Sequence, residues 1–545
     1  MLLLLVSACT VGPDYVPPVV PTEAAWGELH TPVPTPAAPT PAPDLEWESS
    51  QPSEEPLAQQ WWTVFGDPTL DSLVERAVDS NLDLKQAQAR VQQARALRTI
   101  SKSYLFPSIG STASYSWTAS SRNQPGVLQH DNYDLWQLGF DAGWEADVFG
   151  GLRRGVEAAQ DTVEAARADQ YAVLVSLLGE VGQNYLDYRS LQQRIAIATD
   201  NIDAQRETLE LTRRLFNSGL ATELDVTRAE AQVATTESTI PLFQQQASQA
   251  MHRLGVLLGE LPMALQTELA PIGAIPEGPP VVGIGLPSEL LRRRPDVRRA
   301  ERQLAASTAN IGVATSLLYP RFFVLGTAGL ESIDGGALFT WPSHFASIGP
   351  SITWPVFEGG RIRAGIALTT AQQEEQLAAY QNSVLQAFQE VEDALVAYDR
   401  EQARSADLTR AVRANQRAAE LARQLYAQGL TDFLSVLEAQ LNLFITEDAL
   451  AQSERAVAGD LVALYKVLGG GWEGSAETPA DETEGVQTPA NAWSTADLPQ
   501  PGRGPTHARG GAEVVRYLQR GSCEPLLIGA GRLAAKQFPW PLSGR

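Results

Sequence analysis

Leu211-Thr-Arg-Arg-Leu-Phe-Asn-Ser-Gly-Leu220 returns 210 positions later as Leu421-Ala-Arg-Gln-Leu-Tyr-Ala-Gln-Gly-Leu430. Each copy closes a long apolar-periodic stretch on Gly-Leu, the pattern of a helix that stops and reverses. Working outward at the same offset, Glu180-Val181 matches Glu390-Val391 and Tyr188 matches Tyr398. Leu224 matches Leu434, Val226 matches Val436, and Leu258-Gly259 matches Leu468-Gly469. Toward the N-terminus the offset becomes 213: Asn81-Leu-Asp-Leu aligns with Arg294-Pro-Asp-Val, Ala87 with Ala300, and Pro107 with Pro320. Agreement over this length is a duplication. The chain therefore divides into two tandem repeats, 61–280 and 281–472.

Each repeat reads alike. A helix (about 68–104, then 287–318) ends before a proline, and two strands follow, at about 108–118 and 134–145 and again at 321–331 and 346–356. Then come a very long helix (152–216; 361–427), the Gly-Leu turn and a second long helix (221–258; 431–468). No proline falls between Pro125 and Pro241 or between Pro355 and Pro479, as uninterrupted helix requires when an interior proline costs about 3 kcal/mol. Apolar positions 174, 178, 181, 185, 188, 191 and 195, and 377, 380, 384, 388, 391, 395 and 398, step by three or four, which is a packed helical stripe.

The strand candidates alternate instead. Leu138, Phe140, Ala142 and Trp144 oppose Gln137, Gly139, Asp141 and Gly143, and Ile109, Ser111, Ala113, Tyr115 and Trp117 oppose Ser108, Gly110, Thr112, Ser114 and Ser116. Ile348, Ile352, Trp354 and Val356 oppose Ser347, Gly349, Ser351 and Thr353, while 322–330 is apolar on both faces. Small polar residues behind an apolar face fit a membrane barrel with lipid outside and water inside; a sandwich half-buried against the helices is the alternative. Trp117, Trp136, Trp144, Trp341 and Trp354 lie in or beside these strands, as an aromatic girdle would. Four strands cannot close a barrel, since the smallest have about eight. Strands in lipid must close, so several chains would share one barrel.

Composition narrows the function. The 545 residues carry 41 Lys+Arg against 64 Asp+Glu, a net charge of −23. An acidic chain with no basic stripe argues against nucleic acid as a partner. No stretch reaches the roughly 18 apolar residues of a spanning helix. Two cysteines, Cys9 and Cys523, and five scattered histidines predict no disulfide framework, no metal site and no cofactor. Gly283-Ile-Gly-Leu lacks the third glycine of a dinucleotide loop, and Gly469-Gly-Gly has no following Lys-Ser/Thr. No catalytic constellation emerges, so an enzyme is not expected. A passive porin and a cytoplasmic coiled-coil scaffold are the rivals; the long helices oppose the first, the strands and N-terminus the second.

Residues 1–8 read as a truncated signal peptide. Val6-Ser7-Ala8 before Cys9 matches the bacterial lipobox, which would make Cys9 the lipidated (palmitate-bearing) mature N-terminus; a complete signal would begin with Lys/Arg and a longer apolar run. Residues 9–60 then form a Pro-rich spacer, with twelve prolines over 13–56, expected to be extended and poorly folding. The tail 473–545 passes from an acidic Pro/Thr/Ala stretch to a basic Arg/Gly-rich one, and reads as disordered or as a run-on reading frame.

Six motifs stand in this frame: Cys9-Thr-Val-Gly-Pro-Asp-Tyr, Trp61-Trp-Thr-Val-Phe-Gly-Asp-Pro-Thr-Leu, Trp144-Glu-Ala-Asp-Val-Phe-Gly, Trp354-Pro-Val-Phe-Glu-Gly-Gly-Arg, Tyr426-Ala-Gln-Gly-Leu and Leu468-Gly-Gly-Gly-Trp472. With them the chain, over about 9–472, resembles the outer membrane factor family of bacterial tripartite efflux systems, the TolC-like proteins, and in particular their OprM-like lipoprotein branch. The resemblance implies a mainly α fold with a membrane β-barrel. It implies a homotrimer in which a shared twelve-stranded barrel continues into a periplasmic α-barrel about 100 Å long. It also implies a lipid-anchored place in the outer membrane, docking to a periplasmic adaptor (membrane fusion) protein and to an inner membrane pump of the resistance-nodulation-division type, and export of drugs, metal ions or other small solutes.

Site residues follow from that resemblance. The turns Asn217, Ser218, Gly219, Leu220 and Gln428, Gly429, Leu430, Thr431 would be the adaptor-docking tips. In OprM-like proteins a Leu, an acid and an Arg after the second Gly-Leu turn close the periplasmic aperture. Here Leu434 and Glu438 hold the first two places and Leu441 replaces the Arg. The expectation is a dry Leu434/Leu441 seal with an acidic Glu438 ring, Arg228 of the first repeat standing in for the missing cation.

Overall fold

The computed structural model describes residues 10–19, 26, 51–53, 58–119, 132–279, 281–283 and 287–473. Cys9, the signal segment, most of the spacer and the tail beyond Glu473 lie outside the described residues.

The first repeat opens with a 3₁₀ turn, Trp61–Phe65, then α1 (Pro68–Ser80) and α2 (Leu82–Ser103). Strands β2 (Ser108–Thr118) and β3 (Tyr133–Ala146) precede α3 (Gly151–Asn217). Beyond the turn come α4 (Glu223–Glu237), α5 (Thr239–Leu257) and the short α6 (Gln266–Leu269). The second repeat runs α7 (Pro287–Arg293), α8 (Pro295–Ser316), β5 (Arg321–Ser332), β6 (His344–Thr353), α9 (Arg361–Ala427) and α10 (Phe433–Val467). Two short strands, β1 (Gln51–Ser53) and β4 (Val281–Gly283), pair in parallel. α3 and α9 are each 67 residues, rods of about 100 Å.

Three expected helices are broken. The first helix of each repeat is two: Asn81 leaves helical geometry at ψ 133° and its side chain accepts from Leu84 N–H at 2.9 Å, while Arg294 (ψ 118°) precedes Pro295 at the first position of α8. The apolar period runs across both breaks, so periodicity alone joins what the caps divide. The helix expected over 221–258 is interrupted at Ser238. Pro241 has no N–H for the carbonyl four residues back, which an unbroken helix would need. The fourth strand lies at His344–Thr353 rather than 346–356, so Trp354 and Val356 fall beyond it, next to Pro355.

The spacer is partly docked rather than extended throughout. Val11 N–H donates to Phe149 O at 3.2 Å, Asp14 pairs with the buried Arg154, and Tyr15 OH donates to Glu301 Oε1 at 3.3 Å. Gly12 lies so close to Gly312 that a Cβ there would sit 2.4 Å from its Cα. Trp26 is buried against Phe388.

The sheet β2-β3-β5-β6 is antiparallel throughout. Its register puts Ile109, Ala113, Tyr115, Trp117, Trp136, Leu138, Phe140, Trp144, Phe322, Val324, Leu330, Ile348 and Ile352 on one face. The other face carries Ser, Thr and Gly with Gln137, Asp141, Glu145, Arg321 and Glu331, interrupted by Tyr133, Leu135, Phe323, Leu325 and Phe345. The main core lies around the middle of α3, where Leu178, Val181 and Tyr185 meet Trp61, Tyr398, Leu461 and Tyr465; Trp61 stacks on Tyr465 at 5.6 Å. A smaller cluster near the turns joins Leu209 and Val233 to Tyr426, Phe433 and Val436.

Candidate functional site

The two Gly-Leu turns are built identically. Gly219 (φ 76°) and Gly429 (φ 72°) take the left-handed conformation, with nothing within 4 Å of where a Cβ would point. Leu220 N–H donates to Leu215 O at 2.8 Å and Gly219 N–H to Phe216 O at 2.9 Å; Leu430 to Leu425 and Gly429 to Tyr426 repeat the pair at 2.9 Å each. This is the Schellman termination, for which glycine avoids the steric cost of positive φ. The next helices start on side-chain caps: Thr222 and Asp225 form a reciprocal box, and Asp432 accepts from Ser435 N–H at 3.0 Å. The Ser435 hydroxyl bond, with that N–H, holds the Asp432 carboxyl below its ordinary range. Thr222-Glu-Leu-Asp225 is a capping-box signal that the sequence reading passed over. Asn217, Ser218, Gln428 and both glycines are exposed, Thr431 is half-buried, and Leu220 and Leu430 stand 76% and 69% exposed.

On α10, Phe433, Val436 and Gln440 turn inward, and Gln440 Nε2 donates to Thr208 Oγ1 of α3 at 2.9 Å. The opposite face presents Leu434, Glu438, Leu441 and, unforeseen, Ile445, at helical spacing. The three apolar members are 42%, 39% and 54% exposed. Arg228 is exposed on α4, and no ion pair joins it to Glu438 among the described residues.

The tryptophans sort into two levels. Trp117, Trp136 and Trp341 lie toward the far ends of the hairpins, and Trp144 and Trp354 at the end next to the helices. Trp144 and Trp136 are about 27 Å apart along an extended strand, comparable with the roughly 25 Å apolar band of a membrane barrel. The inner pair is anchored by equivalent bonds: Trp144 Nε1–H donates to Leu105 O at 3.0 Å and Trp354 Nε1–H to Leu318 O at 3.1 Å. Each indole keeps its polar edge satisfied while its ring remains exposed, the condition for an aromatic at an interface.

Among the described residues no group of His, Cys, Asp and Glu could hold a metal ion, and no helix is long and apolar enough to cross a membrane. The clefts between helices are open and lined by polar side chains such as Asp187, Arg194 and Arg455.

Comparison with known proteins is consistent across sequence and structure. The family model described as "Outer membrane efflux protein" matches residues 73–260 and 286–470. The "Pyoverdine export outer membrane protein OpmQ" of Pseudomonas aeruginosa is 34% identical, covering 76% of this chain and 88% of that one. The "Toluene efflux pump outer membrane protein TtgI" of Pseudomonas putida is 31% identical, covering 86% and 97%. The solved outer-membrane channel OprN superposes with a TM-score of 0.77 at 38% identity, over 85% of this chain and all of that one. The open-state MtrE channel of Neisseria gonorrhoeae gives 0.71 at 26% identity, over 85% and 98%. The mainly α, two-repeat fold with its barrel strands is theirs, and the chain belongs to the outer membrane efflux protein family, the outer membrane channels of tripartite efflux.

Proposed function

We propose that three copies of this chain close one barrel in the outer membrane and one helical tunnel in the periplasm, forming a passive exit duct with no chemistry of its own. The observation that carries this reading is the sheet: among the described residues β2 and β6 each pair on one side only. A strand edge in lipid would leave N–H and C=O groups unpaired at several kcal/mol each, so further copies must close it. The exposed aromatics at two levels act as girdles at the two membrane interfaces.

At the other end, the tips around Gly219 and Gly429 meet a periplasmic adaptor, which couples the duct to an inner membrane pump of the resistance-nodulation-division type. Three copies of Leu434, Leu441 and Ile445 constrict the aperture with apolar rings that disfavour hydrated solutes, and Glu438 adds an acidic ring favouring cations. No arginine lock is needed in this reading. Cys9 carries lipid: it directly precedes Thr10, which lies against Gly150 where β3 gives way to α3, so acyl chains would enter the membrane next to the barrel. The relatives named for pyoverdine and toluene point to small organic solutes as cargo.

Fractionation and export test this together. The protein should sediment with outer membrane and take up labelled palmitate, and a Cys9→Ser variant should lose the label. A strain lacking the chain should accumulate the pump's solutes until the wild type is restored. Soluble cytosolic protein, or unaltered accumulation in the deleted strain, would refute the reading.

A further inference from the structure

On the polar face of the sheet, a carboxylate without an ion pair lies between two apolar side chains. The strand pairing fixes their places. Asp141 on β3 lies opposite Gly110 on β2 and Thr327 on β5. One row nearer the helices, Gly143 lies opposite Leu325. One row the other way, Gly139 lies opposite Gly329, which in turn faces Phe345 on β6. Rows on one face are about 7 Å apart, so Leu325 and Phe345 stand in the rows that flank Asp141.

Glycines make this arrangement possible. The Phe345 ring crosses β5 and reaches β3: a Cβ on Gly329 would stand 3.1 Å from its Cε1, and one on Gly139 would stand 3.6 Å from its Cζ. Leu325 leans toward Gly143, where a Cβ would be 3.6 Å from its Cδ2, and it remains 49% exposed. The Asp141 carboxylate fills the space over Gly110, both oxygens lying within 3.0 Å of where a Cβ would be, and accepts from the Thr112 hydroxyl at 3.4 Å. Arg321 is the one cation on this face among the described residues. It is held by Glu145, its Nε donating to Oε1 at 2.8 Å. Asp141 is exposed and makes no ion pair among the described residues.

We propose that Asp141, Leu325 and Phe345 form a binding subsite on the barrel wall for organic cations with an aromatic or apolar body. The proposal rests on the shared-barrel reading, which turns this face toward water, and adds a ligand class to the duct. All three residues belong to one sheet, so each copy carries a complete subsite. Apolar surface binds by leaving water, and one placed charge selects the sign of the ligand. A ring-bearing ammonium meets Asp141 with its charge and covers Phe345 or Leu325 with its body, and the exposed ring attracts cations through its face as well. A small hydrated cation gains only the first contact, and an aromatic anion only the apolar one. Two side chains and one charge hold a ligand briefly, as conduction requires.

Single-channel recording in planar bilayers, with probes added on the barrel side, tests the subsite. The concentration of benzyltrimethylammonium that halves the current should be at least ten-fold below that of tetramethylammonium, which lacks the ring. It should be as far below that of benzenesulfonate, which carries the ring with the opposite charge. Asp141→Asn should erase the preference over benzenesulfonate, and Leu325→Ser or Phe345→Ser the preference over tetramethylammonium. Phe345 also covers two glycines, so Leu325→Ser, which alters an exposed side chain, decides the matter should Phe345→Ser fail to insert. A conducting wild type that responds alike to the three probes would overturn the subsite and leave the duct standing. So would a preference that survives all three substitutions; its loss in Leu434→Ser would then place it at the aperture. Protein that inserts but never conducts would overturn both.

Discussion

Asn81 and Arg294, equivalent positions of the two repeats, hold the ends of equivalent helices. Asn81 Nδ2 donates to Leu257 O at 2.8 Å, and Arg294 donates through its guanidinium to Val467 O at 3.0 Å. Each residue breaks its own first helix and ties that break to the carbonyl that ends the repeat. Residues as different as amide and guanidinium serve because both offer a donor long enough to reach a terminal helix carbonyl, which has no partner within its helix. Arg294 also pairs with Asp296 at 2.6 Å and Glu390 at 2.7 Å, which joins the break to α9.

The two sites should therefore differ in cost. Asn81→Ala removes a cap and a buried hydrogen bond, about 1–2 kcal/mol together. Arg294→Ala strands two carboxylates as well; both are partly exposed, which limits the loss to about 2–3 kcal/mol. The Arg294 guanidinium holds Asp296 below the usual carboxylate range against the effect of burial. An acid with a depressed folded-state pKa contributes stability that is present at neutral pH and lost as pH falls through that lowered value. Thermal unfolding of the solubilised protein should show the gap between Arg294→Ala and wild type closing in acid. An equal gap from pH 7 to pH 2 would contradict the pairing.

Asp161 should behave oppositely. Burial pushes its carboxyl up to about 6; Arg302, at 3.5 Å, pulls it down, and Glu164, Glu157 and Glu301 push it up. A folded-state pKa above the unfolded value means the native state takes the proton first, so this site gains stability as pH falls through about 6 and loses it toward neutrality. Asp161→Asn removes the titration. Its stability relative to wild type should rise by about 1–3 kcal/mol between pH 4.5 and 7.5. A pH-independent difference would refute the assignment.

At the tips, function and stability should separate. Leu220→Asp and Leu430→Asp alter side chains that stand in solvent, so unfolding should shift by no more than about 0.5 kcal/mol while solute export collapses for want of adaptor contact. Gly429→Pro, which forbids the left-handed turn, should likewise abolish export with trimer and membrane insertion intact. Export at wild-type level in these variants would remove the tips from the docking surface.

Much of this was legible in the sequence because duplication and period do not depend on tertiary contacts. The strand Ser108–Thr118 and the rod Arg361–Ala427 lie where alternation and the proline gaps put them. The breaks at Asn81 and Arg294 were obscured because apolar spacing continues through them, although Asn before Leu-Asp-Leu and Pro295 at a helix start are both boundary signals. The docking of Asp14 and Tyr15 onto Arg154 and Glu301 was not legible: those partners lie 140 and 286 residues away, and a Pro-rich composition describes the spacer's backbone rather than what its few polar side chains reach. Of the residues proposed for the aperture, Leu434, Glu438 and Leu441 could be named by resemblance. Ile445 needed the helix face, since only burial of Phe433, Val436 and Gln440 shows which side is left open.

The central claim, a duct narrowed by the open face of α10, is tested most directly by single-channel conductance of the purified protein in planar bilayers. Wild type should give small discrete steps selective for cations, Glu438→Gln should weaken that selectivity, and Leu434→Ser with Leu441→Ser should enlarge the steps severalfold. A double serine variant that conducts like wild type would contradict the seal, and protein that inserts but never conducts would contradict the duct itself.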